Sequence, residues 1–320
     1  MRGMSGSCGL VRGTKATLSP PLDRQRVFFI IQPMTDMAFP PIGAPQPDAR
    51  GCATASATVP PALRVALIGA GAMGADIAQA LDRQHIAGAQ LVAVLTRSRQ
   101  ARADGAASVT SLAELLLLAP DVIVECAGAQ AFADHVPVAL AGGVDVIAVS
   151  MAAMARLDVA AAIARATGPG SGTLHFASGA LGGLDALSAA REGGLTRVEV
   201  IQRKPPAALM DAAQAAALTG AQVVKRASAR EVALALPQNS NVAAAVAIAG
   251  LGFDATQVTV IADPAVTRNT VELQVEGMFG CFHLVIENHP SPANPKTSMT
   301  PAMSVLAALR RRISRIRIPA

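Results

Sequence analysis

From Leu63 onward, short apolar runs alternate with longer segments whose apolar residues recur at helical spacing. Leu63–Ile68 is a β-rich run, Ala72–Arg83 has helical spacing, and Gln90–Thr96 is again a strand. Asp121–Val124, Val144–Val149 and Thr173–Phe176 predict further buried strands, separated by Ala-rich helices around 129–141 and 155–166. Strands alternating with helices at this interval predict an α/β unit with a doubly wound parallel sheet covered on both faces. After about residue 195 the rhythm changes. Thr196–Arg203 predicts a strand, Ser228–Leu236 and Asn241–Ala249 predict helices, and Gln257–Ala262, Val271–Glu276 and Cys281–Glu287 follow as close-spaced strands. Short turns such as Gly277–Gly280 predict a second, α+β domain with a mostly antiparallel sheet, followed by a helix from Ser298 to about Arg312.

Residues 1–62 show neither period. Nine of the 21 prolines lie there, mixed with Gly, Ser, Thr and isolated charges. The segment reads as a disordered extension or as a start placed too far upstream, with Met34 or Met37 near the true one. Val27–Ile31 is too short for a secretory core and no small-residue cleavage site directly follows it. The expected division is therefore 1–62, a dinucleotide-type domain over 63–180, the α+β domain over 181–298, and a helix with a basic tail over 299–320.

Composition changes the picture in one respect. The chain has 320 residues, is 52% apolar and carries a formal +5, so it has ample material for packed cores. The charge is uneven: residues 1–62 hold six basic and three acidic side chains, and the last eleven residues hold five Arg and no acid. The body between is mildly acidic. With eight Phe and neither Trp nor Tyr, the chain offers few stacking platforms, and a nucleic-acid partner ranks last among the functions weighed. No apolar stretch reaches the ~18 to 20 residues of a bilayer span, so no membrane role is expected. Cys8, Cys52, Cys126 and Cys281 are widely spaced and lack metal-ligand intervals, which suits a reduced cytoplasmic chain without a metal.

The first chemistry lies at Gly69-Ala-Gly71-Ala-Met-Gly74, directly after the Leu63–Ile68 run and before a helical pattern. In that context G-x-G-x-x-G is the Rossmann-type dinucleotide fingerprint. Gly69 suits the tight turn, Gly71 lets backbone approach a pyrophosphate, and Gly74 lets helix and strand pack closely. An acidic residue closing the second strand would hold the ribose 2′-hydroxyl of NAD. Here the sequence is Thr96-Arg97-Ser98-Arg99. Arg97 and Arg99 suit a 2′-phosphate, so NADP is accepted beside NAD; the competing reading is a solvated basic loop.

Five further motifs follow in order: Ser178-Gly-Ala180-Leu-Gly-Gly-Leu-Asp185, Arg203-Lys204-Pro-Pro, Asn239-Ser-Asn241-Val-Ala-Ala, Ala262-Asp263-Pro264, and Asn294-Pro-Lys296-Thr297-Ser298. Together with the glycine loop they resemble the L-aspartate dehydrogenase family, from about Leu63 to Leu309. The resemblance implies a two-domain homodimer that oxidises L-aspartate to iminoaspartate with NAD or NADP, for NAD biosynthesis. It places cofactor contacts on Ala180 and Asn241, beside those of the glycine loop. Small residues at Ser178–Ala180 leave room for a flat nicotinamide, and the Asn241 amide both donates and accepts; a helix cap is the competing role for Asn241.

One departure stands against these agreements. The family carries a catalytic His in an Asn-x-His pattern, and the corresponding run here is Asn269-Thr270-Val271. Val271 occupies the His position and exchanges no proton. His289 is the substitute considered first, with His283 and Glu272 nearby, although Glu272 is expected on the opposite strand face from Val271. The alternative function is a weakly active or non-catalytic NAD(P)-binding protein of the same fold. For substrate carboxylates, Lys296, Thr297 and Ser298 are expected at the start of the last helix, with Arg203 and Lys204 as further cations; helix capping by Thr297 or Ser298 competes.

Overall fold

The computed structural model describes residues 61–99, 102, 105–291 and 294–317, the side chains of 294–297 excepted. The expectations for the first 60 residues, for the Lys296 and Thr297 side chains and for the last three residues lie outside it.

The first layer runs β1 (Leu63–Ile68), α1 (Ala72–Asp82), β2 (Ala89–Leu95), β3 (Ala107–Val109), α2 (Leu112–Leu117), β4 (Val122–Glu125), α3 (Ala129–Ala141), β5 (Asp145–Ala148), α4 (Leu157–Ala166) and β6 (Leu174–Phe176). The strands form one parallel sheet in the order β3-β2-β1-β4-β5-β6. Alternation along β1 explains why Val65–Ile68 is apolar throughout. Val65 and Leu67 pack with Ile77 and Leu81 of α1 on one face, whereas Ala66 and Ile68 pack with Phe132 and Val136 of α3 on the other. Both faces are covered over Val65–Ile68, and the one charged residue of the strand, Arg64, lies at its exposed start. The strand order reverses between β1 and β4, and a crevice opens there beyond the strand carboxyl ends.

The second layer runs α5 (Leu184–Glu192), β7 (Leu195–Lys204), α6 (Ala212–Ala217), β8 (Gln222–Ser228), α7 (Ala229–Ala235), α8 (Asn241–Ala249), β9 (Gln257–Ala262), β10 (Asn269–Gly277) and β11 (Gly280–Asn288). Its sheet has the order β11-β10-β7-β9-β8. The pairs are antiparallel except β7 with β9, which the long crossover through residues 205–256 makes parallel. Val198, Val200, Val271, Leu273 and Val275 face Leu187, Val232 and Val246 of the helices. Ser228 caps α7 through a reciprocal box with Glu231.

The chain ends with β12 (Pro290–Ser291), β13 (Asn294–Ser298) and α9 (Thr300–Ile313). This corrects the expected helix start at Ser298. Residues 294–298 are extended and pair with β12; the helix begins at Thr300, where Pro301 fits the first turn and disfavours helix before it. One face of α9 packs on the first layer. Val305, Ala308 and Leu309 enter the core of the first layer beside Leu81. Arg310 donates to the His85 carbonyl at 2.7 Å, and Arg312 pairs with Asp145. Among the described residues no helix is long and apolar enough to cross a membrane.

Candidate functional site

The glycine loop fills the crevice at the β1/β4 switch. Gly69 has φ +110°, open to glycine, and a Cβ there would lie 2.9 Å from Ala127 Cβ. A Cβ on Gly74 would lie 2.2 Å from the Gly69 carbonyl oxygen, so helix and turn touch through missing side chains. Gly71 differs: a Cβ there would meet nothing within 4 Å, and no side chain caps α1 above it. The loop therefore presents bare backbone and free helix amides on its open side, which fits a pyrophosphate.

Beneath the loop lies Glu125, at the end of β4 and wholly buried. Its Oε1 accepts from the Ala127 and Gly128 amides and the Ser150 hydroxyl, and Oε2 accepts from the Ser150 amide. Burial raises the carboxyl above its ordinary range although all four bonds oppose that shift. Glu125 thus ties together the turns after β4 and β5, and Ala127 in that brace is the residue packed on Gly69. Its neighbour Cys126 donates to the Ile68 and Gly69 carbonyls, and burial pushes its thiol up, which suits packing rather than nucleophilic attack.

The two arginines after β2 part company. Arg99 donates to Glu114 at 2.9 Å and to the Ser108 carbonyl at 3.0 Å, so it is occupied within the protein. Arg97 is exposed and makes no side-chain bond to the described residues, and Thr96 closes the turn by donating to the Ser98 carbonyl at 2.6 Å. Of the pair expected to read a 2′-phosphate, Arg97 alone is free.

A cleft lies between the two layers. From the first layer come Met73, Val149, Met151, Ser178, Gly179, Ala180 and Pro301; from the second come Gln202, Lys204, Gln238, Asn239, Asn241, Val242, Asn269, Val271, Asn288 and Ser298. Ala180, Asn241, Val271 and Ser298, chosen from separate motifs, thus line one space. Asn241 is not a helix cap. It is the first residue of α8, its Oδ1 accepts from the Ala152 amide at 3.0 Å, and the residue lines the cleft. Asn288 Nδ2 donates to the Ala180 carbonyl at 2.8 Å, and Gly179 N donates to Ser304 Oγ of α9 at 3.1 Å.

The expected substitutes for a histidine lie elsewhere. His289 is exposed, outside the cleft lining, with its carbonyl held by the Met299 amide. His283 lies 3.8 Å from Glu272 on the outer sheet face, because both alternate with inward residues. Arg203 also points outward, paired with Asp263 at 2.7 Å. Lys204 points inward, and its Nζ donates to Asn239 Oδ1 at 2.7 Å. Ser298 Oγ accepts from Asn269 Nδ2 at 3.2 Å.

Gln202, Asn269 and Asn288 were missed as site residues. A signal existed: inward positions of β7 read Val198, Val200, Gln202, Lys204, turning from apolar to polar at the strand's end. That break marks where the sheet leaves the core and meets a cavity. Two buried atoms there, Gln202 Nε2 and Asn269 Oδ1, have no hydrogen-bond partner among the described residues. A donor and an acceptor held open in one cleft suit a polar molecule of small size.

Comparison with known proteins accords with this geometry. Residues 69–176 match the family model "Homoserine dehydrogenase, NAD binding domain", and residues 185–312 match "Aspartate dehydrogenase, C-terminal". The L-aspartate dehydrogenase of Ruegeria pomeroyi is 41% identical over 263 residues, covering 80% of this chain and 94% of that protein. That of Methanosarcina acetivorans is 35% identical over 269 residues, covering 80% and 99%. The crystal structure of aspartate dehydrogenase from Thermotoga maritima superposes with TM-score 0.66 at 25% identity, covering 80% of this chain and 99% of that one. With a glycine loop of the right shape, an open cleft beside it and both halves matched, the chain is an NAD(P)-dependent oxidoreductase that belongs to the L-aspartate dehydrogenase family.

Proposed function

We propose that this chain oxidises L-aspartate at its amino-bearing carbon to iminoaspartate, with NADP or NAD as the acceptor. The observation that carries the reading is the single cleft in which Met73 of the glycine-loop helix, Ala180 and Asn241 meet Val271, Asn269 and Ser298. Bound NAD(P) would supply the hydride acceptor. Gly69, Gly71 and Gly74 would hold its pyrophosphate, Arg97 would meet a 2′-phosphate, and Ala180 with the Asn241 NH2 would border the nicotinamide. Ser298, Asn269 and Gln202 offer polar groups to substrate carboxylates, and Lys296 and Thr297 belong to the same strand. The catalytic unit is proposed to be a cytoplasmic homodimer, which light scattering of the purified protein tests.

The test is reduction of NADP or NAD by purified protein supplied with L-aspartate at alkaline pH. Turnover of aspartate in preference to other amino and hydroxy acids is the expected result. Val271 favours a second reading, a protein that binds NAD(P) without turnover. Tight NADPH binding with no oxidation of any amino acid would establish that reading instead.

A further inference from the structure

Lys204 is the only side chain lining the cleft, among the described residues, that exchanges protons in the accessible pH range; the others are amides, hydroxyls and apolar groups. It is half-buried in the wall, without an acidic partner among the described residues, and its one bond runs to Asn239 Oδ1. The register places it with care. Val271 pairs with Gln202, and Lys204 lies two residues beyond Gln202 on the same inward face. It is therefore the diagonal neighbour of Val271, at a separation of roughly 7–8 Å that a lysine side chain spans.

We propose that Lys204 is the proton acceptor for the substrate's amino group, acting from β7 where the family's imidazole would act from the Val271 position on β10. The inference rests on the functional reading above and names the residue that makes it workable. The neutral lysine amine takes a proton from the substrate ammonium, so a substrate N–H bond breaks and a lysine N–H bond forms. That leaves the nitrogen lone pair free to close the C=N bond as Cα–H breaks, and bound NAD(P) in its oxidised form would supply the acceptor for the hydride. Lys204 afterwards returns its proton to water.

The surroundings favour the neutral amine. Gln202 on its own strand, Asn269 on β10, Asn241 on α8 and Gln238 and Asn239 of the Pro237–Asn239 turn are uncharged. On β7 and just past β9, Arg203 and Asp263 neutralise each other at 2.7 Å. Burial pushes the Lys204 amine down to about 8. Lys296 belongs to β13 and its side chain lies outside the described residues, so a Lys296→Met variant accompanies the test.

The experiment measures kcat/KM for L-aspartate against pH in the wild type and in Lys204→Met, Lys204→Arg and Lys296→Met, with NADPH binding followed by fluorescence. In the wild type, kcat/KM should rise with pH to a plateau above about 8. Both Lys204 variants should lose about 10²- to 10⁴-fold while binding NADPH normally. Arginine keeps the charge but yields no base, so activity of Lys204→Arg within tenfold of wild type overturns the proposal in favour of a carboxylate anchor. Loss of the pH-dependent rise in Lys296→Met alone overturns it too. Lys204→Ala rescued by added ethylamine supports it even where the other variants misfold. Independently of turnover, NMR of the reductively ¹³C-methylated protein should show a lysine resonance, missing in Lys204→Met, that titrates near 8. A midpoint above 10 overturns Lys204 as base, whereas NADPH binding without oxidation of aspartate overturns the functional reading itself.

Discussion

Val271 stands directly opposite Gln202 where β10 pairs with β7, and both side chains line the cleft. Val271 is 3% exposed and belongs to the core of the second layer, so the position joins packing and site. An imidazole there would face the open Gln202 Nε2 and lie one diagonal step from Lys204. Val271→His is expected to extend turnover toward neutral pH, moving the rise of kcat/KM below about 8, because an unperturbed histidine titrates near 6.5. A pH profile unchanged from wild type would show that the position does not reach the substrate.

Arg97 and Arg99 separate the 2′-phosphate reading from a merely basic loop. Arg97→Ala is expected to raise KM for NADP roughly ten- to hundredfold, the worth of one charge-assisted hydrogen bond, with little change for NAD. Arg99→Ala should change neither by much, since Arg99 is held by Glu114 and Ser108. Steady-state kinetics with both cofactors reads the difference.

Glu125 holds the floor of the dinucleotide loop. Glu125→Ala strands the Ala127, Gly128 and Ser150 amides and is expected to destabilise by about 3 kcal/mol or more. Glu125→Gln keeps one acceptor oxygen but turns an NH2 toward a donor, at a cost of about 1 kcal/mol. Denaturant unfolding measures both, and NADPH titration should show weaker binding in the alanine variant.

Asp145 and Arg312 tie the last helix to the parallel sheet. Burial opposes ionisation of Asp145, but the Thr173 amide and the Arg312 guanidinium outweigh it and hold the carboxyl below its ordinary range. A depressed carboxyl contributes stability above its unfolded value, near 3.9, that is lost as pH falls through the folded value. Arg312→Gln should therefore lower stability by about 1 kcal/mol at pH 7 and by nearly nothing near pH 2. Thermal unfolding at the two pH values checks the sign.

Much of the fold was legible because its buried strands and helices carry clear apolar patterns. Leu63–Ile68, Asn241–Ala249 and Gln257–Ala262 match the structure residue for residue, since hydrophobic period and bounding turn residues agree there. The short β3 and α2 and the strand β8 went unpredicted, for brief or amphipathic segments carry little periodic signal. Within the site, the glycine loop was readable because its residues are contiguous. Gln202 and Asn288 were not, being single amides in strands, distant along the chain.

The amino-acid order alone determined the layer types, the dinucleotide loop and the valine in place of a histidine, because each follows from local spacing or from a contiguous motif. Tertiary structure decided which charges are free. It turned Arg203 toward Asp263 and Lys204 toward the cleft, occupied Arg99 while leaving Arg97 open, and folded Arg310 and Arg312 onto the first layer. Strand alternation and long-range pairing set these outcomes, and the chemistry of a cation depends on the partner that the fold brings to it.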